Sequence, residues 1–164
     1  MLLNKKLVII LLSIFSFIFS EEILRDVILY DGFDPNKSYP IKLINYYSKI
    51  NDGYVIFKSD HFSKSGELIK TDNYNNGLLD GKIFEYAQDG NIKKEIIYKE
   101  GILHGKWIEY ENGKIYREGN MEDGKKEGTW IDYYPNGQIK YQRIYKNDKV
   151  VKKIILPDSK RAKL

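Results

Sequence analysis

GILHGKWIEYENGKIYREGN, residues 101–120, contains two glycines four residues apart, then an aromatic run, then the pair Asn112–Gly113. Nearly the same phrase precedes it, from Gly77 to Tyr86, and follows it, from Gly124 to Tyr133. The three phrases begin 24 and 23 residues apart. A nearly constant period of this length predicts tandem structural repeats.

Each repeat is predicted to be a β-hairpin. Tyr, Trp, Ile and Phe favour strands, and Asn-Gly or Asp-Gly pairs accept the positive φ of tight hairpin turns. We expect a hairpin turn after each aromatic run and a return turn at each Gly-x-x-x-Gly segment. The predicted turn glycines are Gly77, Gly81, Gly90, Gly101, Gly105, Gly113, Gly124, Gly128 and Gly137. The expected fold is all-β, with tandem hairpins in one elongated, twisted antiparallel meander sheet.

Alternation along the strands distributes the aromatic residues over two faces. One face is expected to carry Ile83, Trp107 and Trp130 with the carboxylates Glu85, Glu109 and Asp132. The other is expected to carry Phe84, Ile108, Ile131, Tyr86, Tyr110 and Tyr133. No downstream helix pattern could cover either face, so aromatic surface should remain open to a partner. The candidate binding residues are therefore Trp107, Trp130, Tyr110 and Tyr133.

The first twenty residues differ from the rest. Lys5 and Lys6 precede a thirteen-residue apolar run, Leu7 to Phe19, interrupted only by two serines. This pattern predicts a helical signal peptide over 1–20, with an uncleaved anchor as the alternative. The expected location is the periplasm, the cell envelope or the medium. Removal of the two lysines leaves 25 basic and 23 acidic residues, a net charge of +2.

The remaining segments are assigned around the repeats. The array is predicted over 53–147, as a degenerate copy at 53–76 and copies at 77–100, 101–123 and 124–147. Residues 21–52 are expected to cap the first repeat with one or two strands or a short helix. Residues 148–158 are expected to form a closing edge strand, and 159–164 a basic tail.

The unit G-x-x-x-G-K-W-x-E-Y-x-x-N-G-K resembles the bacterial variant of the MORN repeat, the type found in YwqK-like antitoxins. The resemblance covers residues 77 to about 147 well and 53–76 weakly. It implies an all-β hairpin array with a binding or scaffolding role. An antitoxin against a cytosolic toxin has no use for an export signal, so the antitoxin role is kept as an alternative.

Catalytic and metal sites are not expected, nor is any cofactor. The chain has no cysteine and two histidines, His61 and His104, which excludes thiol chemistry and sulfur-based zinc sites. The carboxylates Glu85, Glu109 and Asp132 lie about 9.5 Å apart, two strand spacings, near the limit for a glycosidase pair. Lys94 and Arg117 on the intervening strands could instead neutralise them as cross-strand ion pairs.

The predicted function is therefore non-enzymatic: an exported protein-interaction or scaffold module that uses an aromatic sheet face or an edge. The alternatives are a binder of anionic lipid or glycan surfaces, suggested by Trp and Tyr flanked by lysines, and an antitoxin or immunity-type protein. Nucleic acid is not an expected partner, because a nearly neutral domain lacks the necessary positive charge.

Overall fold

The computed structural model describes residues 10–11, 23–29 and 41–155, and every regular element in these ranges is a β-strand. The all-β prediction is therefore confirmed for the described residues. Within the same ranges, no helix is long and apolar enough to cross a membrane. The chain divides into two compact units, unit 1 over Met1–Leu78 and unit 2 over Leu79–Leu164.

Unit 1 contains an antiparallel meander. Its strands are β1 (Ile10–Leu11), β2 (Ile23–Leu29), β3 (Ile41–Ile50), β4 (Gly53–Phe62) and β5 (Leu68–Asn75). Each strand pairs antiparallel with the next one. The short β6 (Leu78–Leu79) crosses the point where unit 2 begins. The described part of the predicted capping segment, 21–52, thus forms strands and not a short helix.

Unit 2 contains a second antiparallel meander. Its strands are β7 (Gly81–Tyr86), β8 (Ile92–Lys99), β9 (Ile102–Glu111), β10 (Lys114–Glu122), β11 (Lys125–Tyr133), β12 (Ile139–Lys146) and β13 (Lys149–Ile154). Successive strands are again paired neighbours. The three predicted hairpins correspond to β7–β8, β9–β10 and β11–β12, and β13 lies within the predicted closing segment.

The return turns are two-residue turns with both residues at positive φ, as in type I′ turns. Glu100 and Gly101 have φ of 49° and 82°, and Asp123 and Gly124 have 48° and 77°. Asn76–Gly77 and Asn147–Asp148 follow the same pattern. Acidic side chains join two of the turns to the adjoining strand: the Glu100 amide donates to Asp80, and at Asn147–Asp148 the Asn147 amide donates to Glu127 while Asp148 accepts from the Lys126 amide.

The predicted return turn was too long. The second glycine of each Gly-x-x-x-Gly segment lies in a strand: Gly81 begins β7, Gly105 lies inside β9 and Gly128 inside β11. All three still have positive φ, between 68° and 111°. Gly105 and Gly128 lie where the pairing register shifts, so these glycines permit bulges in the strands.

The hairpin turns are of two kinds. Ala87–Asn91 and Tyr134–Gln138 are five-residue loops, each closed by a hydrogen bond from the first amide to the last carbonyl. The middle repeat has only the two-residue turn Asn112–Gly113, with φ of 51° and 72°. Gly90 and Gly137 have φ of 81° and 84°, so the prediction of positive φ at the hairpin glycines is confirmed. Five residues lie between the paired Tyr86 and Ile92, and four between the paired Tyr110 and Ile115. The one-residue difference in repeat length therefore lies in this loop.

The degenerate copy keeps the hairpin register. Ser63–Glu67 forms a five-residue loop with the same two hydrogen bonds as Ala87–Asn91, and Gly66 has φ of 93°. The turn before this copy is Asn51–Asp52, one residue earlier than the predicted position at Gly53.

The two terminal predictions fall almost entirely outside the described residues. Of the predicted signal helix over 1–20, only Ile10–Leu11 are described, and these two residues are extended in β1. The predicted basic tail over 159–164 lies outside the described residues altogether.

Candidate binding surface

The two faces of unit 2 carry the residues that alternation predicted. On one side, Trp107 Nε1 donates to Glu109 Oε1 at 2.8 Å, which places both side chains on the same face. On the other, the rings of Phe84 and Tyr86 lie 6.4 Å apart, and the Tyr133 hydroxyl donates to Glu118 at 2.6 Å. We call the side with Trp107 and Glu109 the tryptophan face, and the side with Tyr86 and Tyr133 the tyrosine face.

The tryptophan face contains most of the core of unit 2. Trp130 is 1% exposed and packs with Met121 and Tyr145, flanked by Leu103 and Trp107. The Trp130 ring lies 6.3 Å from that of Trp107 and 6.0 Å from that of Tyr145. Farther along the face, Ile83 and Ile96 are directly opposed and buried. This face therefore stabilises the array.

Trp130 is buried because the neighbouring strand leaves room for its ring. The indole lies against Gly119 of β10, and its Nε1 donates to the Asn120 carbonyl at 3.1 Å. Lys126 lies on the same strand as Trp130, β11, and its ammonium group is 4.5 Å from the centroid of the Trp130 ring. The hydrogen bond thus satisfies the indole N–H, and the cation–π contact covers a face of the ring, without a second layer of structure.

A row of alternating charges crosses the same face. Glu85, Lys94, Glu109, Arg117 and Asp132 lie opposite one another on successive strands. Lys94 lies 3.2 Å from Glu85, and Arg117 lies 3.5 Å from Glu109 and 2.6 Å from Asp132. Asp132, which is buried, also accepts a hydrogen bond from Arg143. The carboxylates are thus neutralised by cross-strand ion pairs, as the sequence suggested.

The pKa values in this row follow from its contacts. Burial alone would lower the pKa of Arg117, but the hydrogen bond with Asp132 and the negative charges of Asp132 and Glu109 together outweigh burial, and the pKa is raised. A hydrogen bond to Glu109, together with burial, raises the pKa of Tyr116 to about 12. Both shifts keep these side chains protonated, so neither is prepared for proton transfer near neutral pH.

The tyrosine face repeats its aromatic side chains at intervals of two strands. Tyr86 lies opposite Ile92, Tyr110 opposite Ile115 and Tyr133 opposite Ile139. Ile92 and Ile115 are among the exposed apolar residues, and the tyrosines are half-buried. Within the described residues, no second layer covers this face.

Acidic side chains lie near two of the tyrosines on this face, Tyr110 and Tyr133. Burial and the hydrogen bond to Glu118 raise the pKa of Tyr133 to about 12. Burial, followed by the nearby Glu95, raises the pKa of Tyr110. Glu95 in turn pairs with Lys82 at 2.7 Å. The Tyr133 ring is therefore held in place by the hydrogen bond to Glu118.

An open groove of about 450 Å³ lies at the loop end of this face. It is lined by Lys114, Ile115, Tyr133, Asn136 and Gly137. Lys114 Nζ donates to the Pro135 carbonyl at 3.0 Å and links the turn of the middle repeat to the loop of the last one. The groove thus joins two adjacent repeats.

The predicted binding residues do not share one environment. Tyr110 and Tyr133 lie on the tyrosine face, and Trp107 is half-buried on the opposite face. Trp130 is enclosed in the core and offers a partner almost no surface, so its predicted role as a contact residue stays a prediction. Two residues of the tryptophan face were not singled out from the sequence: Gly119, which lies against Trp130, and Arg143, which donates to Asp132.

Each of the two histidines lies near an aspartate of its own unit. His61 Nε2 lies 2.8 Å from Asp72, whose other oxygen lies 2.8 Å from Lys70. His104 Nδ1 lies 3.5 Å from the exposed Asp123. Within the described ranges, no group of three or more His, Asp or Glu side chains is arranged to hold a metal ion.

Unit 1 has a polar core where unit 2 has an apolar one. Ser59 and Asp72 are opposed and buried at the positions that Ile83 and Ile96 occupy one repeat later. Ser59 Oγ donates to Asn45 Oδ1 at 2.7 Å. On the reverse face, Asp60 accepts from Thr71 and Lys58, and the Lys58 bond helps to lower its pKa despite burial. The degenerate copy thus has the same backbone with a different interior.

Successive hairpins that share a core on one face and repeat aromatic side chains on the other define a tandem β-hairpin repeat protein. In agreement, the sequence model of the family described as MORN repeat variant matches residues 79–100, 103–123 and 126–147. Residues 79–147 therefore consist of three tandem repeats of this family. The match is to the repeat family, and the YwqK-like type remains a prediction. A comparison with curated proteins found no significant match.

Proposed function

We propose that this chain is an exported, non-enzymatic repeat protein that binds a protein partner through the tyrosine face of unit 2. The proposal rests on one observation. The tryptophan face is filled by the core and the charged row, whereas the tyrosine face repeats Tyr86, Tyr110 and Tyr133 at equal spacing, with an exposed isoleucine beside each of the first two.

The chemistry of the tyrosine face suits protein recognition. Tyrosine offers a large contact area at a small cost in conformational entropy and is enriched among residues that dominate binding energy. Repeats of the MORN type are often involved in protein or membrane binding, which is consistent with this role. The groove beside Ile115 and Tyr133 could receive an apolar side chain of the partner.

Several contacts favour a binding role over a catalytic one. A glycosidase requires one carboxyl kept protonated and one ionised. Glu85, Glu109 and Asp132 each lie within ion-pair distance of a basic side chain, so all three are arranged as structural ion pairs. The row therefore acts as a structural element of the sheet in this proposal.

Site-specific photo-crosslinking tests the proposed face. A photoreactive phenylalanine analogue at Phe84 should form protein adducts in the native envelope fraction, whereas the same analogue at Lys94, on the opposite face, should form none. The double variant Tyr110→Ala/Tyr133→Ala should lose the Phe84 adducts and keep its far-UV spectrum. Equal adducts from both faces would refute the proposal.

Two further measurements test the remaining parts. Export predicts a native protein that begins near Glu21 and lies outside the cytoplasm, so an intact mass with Met1 retained and a cytosolic location would contradict it. Flotation of the chain with anionic vesicles, abolished by the double tyrosine variant in the absence of protein adducts, would favour the lipid alternative. Adducts with a single toxin would favour the antitoxin or immunity alternative.

A further inference from the structure

The last hairpin, β12–β13, differs in charge from the rest of unit 2. Residues 139–155 carry one acidic side chain, Asp148, and six basic ones: Lys140, Arg143, Lys146, Lys149, Lys152 and Lys153. In the interior of unit 2, basic side chains are matched to carboxylates, as in Lys82–Glu95 and Arg117–Asp132. Among the described residues, no carboxylate lies within ion-pair distance of the three lysines of β13.

These basic side chains lie on both sides of the hairpin. Lys146 lies opposite Lys149, and Lys152 lies opposite Ile144, on the side of the tyrosine face. On the other side lies Lys153, opposite Arg143, whose own charge is paired with Asp132. A chain that approached the outer edge of β13 would therefore meet positive charge above and below its own plane.

The edge of β13 also has the features of a docking strand. β13 pairs with β12 on one side, and no described strand lies on its other side. Val150 and Val151 are 51% and 60% exposed. A free edge presents unpaired N–H and C=O groups to which an extended chain can add by main-chain hydrogen bonds.

The charge determines which chain can add. Antiparallel pairing of two β13 strands would bring the lysines of one copy close to those of the other, and like charges on opposing strands are destabilising. A strand with acidic side chains would instead be attracted from both faces. The edge thus disfavours a second copy and favours an acidic segment.

We propose that the free edge of β13 binds an extended, acidic segment of a partner protein, which adds to the sheet as a further strand. Lys149, Lys152 and Lys153 bind the acidic side chains of the segment, and Val150 and Val151 contact its apolar side chains. This edge does not include Tyr86, Tyr110 or Tyr133, so the proposal holds independently of the proposed function.

A synthetic peptide tests the proposal on the full chain. The probe is a fluorescent peptide of about ten residues, a common strand length, in which Glu and Val alternate. A Lys-Val peptide is the control. Fluorescence anisotropy should show binding of the Glu-Val peptide only, weakened by added salt because exposed charges are screened. Amide exchange in β13 should slow when the peptide is bound.

Matched variants locate the site. Lys149→Glu/Lys152→Glu/Lys153→Glu should raise the Kd at least about tenfold, a loss of about 1.4 kcal/mol. The control Lys93→Glu/Lys99→Glu/Lys125→Glu reverses three exposed lysines elsewhere and should leave the Kd unchanged. The double variant Tyr110→Ala/Tyr133→Ala should also bind the peptide normally, which separates this test from that of the tyrosine face.

Three results would overturn the proposal. Equal losses in the two triple variants would show that net charge and not the edge is responsible. Binding without slower exchange in β13 would show that the peptide does not add as a strand. Failure to bind the Glu-Val peptide, with flotation on phosphatidylglycerol vesicles that depends on Lys149, Lys152 and Lys153, would assign the surface to a membrane.

Discussion

The indole of Trp130 lies flat against Gly119 on the neighbouring strand, and a Cβ at Gly119 would overlap the ring. This contact explains how a large aromatic side chain is 1% exposed in unit 2, where no described layer covers the sheet. The missing side chain of Gly119 supplies the space, and Trp107 and Tyr145 close the sides. The glycine is therefore part of the core.

We expect Gly119→Ala to lower the free energy of unfolding by about 1–3 kcal/mol or more, because overpacking forces the ring or the strand to move. Denaturant unfolding measures the loss. The near-UV circular dichroism of the indole should change as well, since Trp130 must leave its present position.

The matched control is Gly53→Ala, the same chemical change at the start of β4. Its new Cβ would lie 4.0 Å from the Ile50 carbonyl, and Gly53 is not among the residues with positive φ. We expect a change within about 0.5 kcal/mol, or a small gain in stability. Equal losses at Gly119 and Gly53 would contradict the role assigned to the Trp130 contact.

The charged row should be most sensitive where it is most buried. Arg117→Gln should cost about 1.5–3 kcal/mol, because it removes hydrogen bonds to the buried Asp132. Lys94→Gln, at the equivalent position one repeat earlier, should cost less than about 1 kcal/mol, because its partner Glu85 is 32% exposed. Thermal or denaturant unfolding would reject this ranking if Lys94→Gln proved the more damaging change.

The hairpin glycines should be sensitive to backbone conformation alone. No atom lies within 4 Å of a Cβ placed at Gly113 or Gly137, yet their φ values are 72° and 84°. Replacing either with Val should therefore cost about 1–2 kcal/mol, from the left-handed conformation and not from a clash. Gly113→Asn should cost less, since Asn tolerates this region. Unchanged unfolding midpoints for both valine variants would show that the loops adjust freely.

Alkaline pH should destabilise the fold through two tyrosines. The pKa values of Tyr116 and Tyr133 are raised to about 12 from an ordinary value of 10.0. A raised folded-state pKa means that the contribution to stability is complete below pH 10 and is lost as the pH rises towards 12. The free energy of unfolding should therefore fall across this window, and less steeply in Tyr133→Phe.

Carbon-13 labelled tyrosine allows these titrations to be followed by NMR. Tyr116 and Tyr133 should titrate near pH 12. Glu118→Gln should lower the pKa of Tyr133 only in part, because burial is the larger cause of the shift. A wild-type Tyr133 that titrates near pH 10 would show that neither burial nor Glu118 acts on it.

The repeat period and residue alternation predicted the features that depend on local sequence. They gave the three hairpins, the positive φ of Gly113 and Gly137, and the division into a tryptophan and a tyrosine face. They also allowed the pairing of Lys94 and Arg117 with carboxylates, since directly opposed residues share a face. These features follow from two regular rules, the pleat of a strand and the geometry of a tight turn.

The features that were missed depend on how side chains reach beyond directly opposed positions. Alternation places Tyr141 and not Arg143 opposite Asp132, yet the long Arg143 side chain crosses to it diagonally. In the sequence, Gly119 looks like a strand position that simply lacks an apolar side chain. Its packing role becomes visible only when the Trp130 ring is seen to lie over it. The burial of Ser59 and Asp72 was likewise hidden, because polar residues in a degenerate copy are normally read as exposed.

The hairpin loops have a consequence for how this chain can change length. The 23-residue middle repeat is one residue shorter than its 24-residue neighbours. Four residues separate the paired Tyr110 and Ile115, whereas five separate the paired Tyr133 and Ile139, and the side chains still face the same way. Two of the return turns lack this freedom, since Asp80 and Asp148 tie them to the adjoining strand. Insertions and grafted peptides should therefore be accommodated at Ala87–Asn91 and Tyr134–Gln138, at one end of the sheet only.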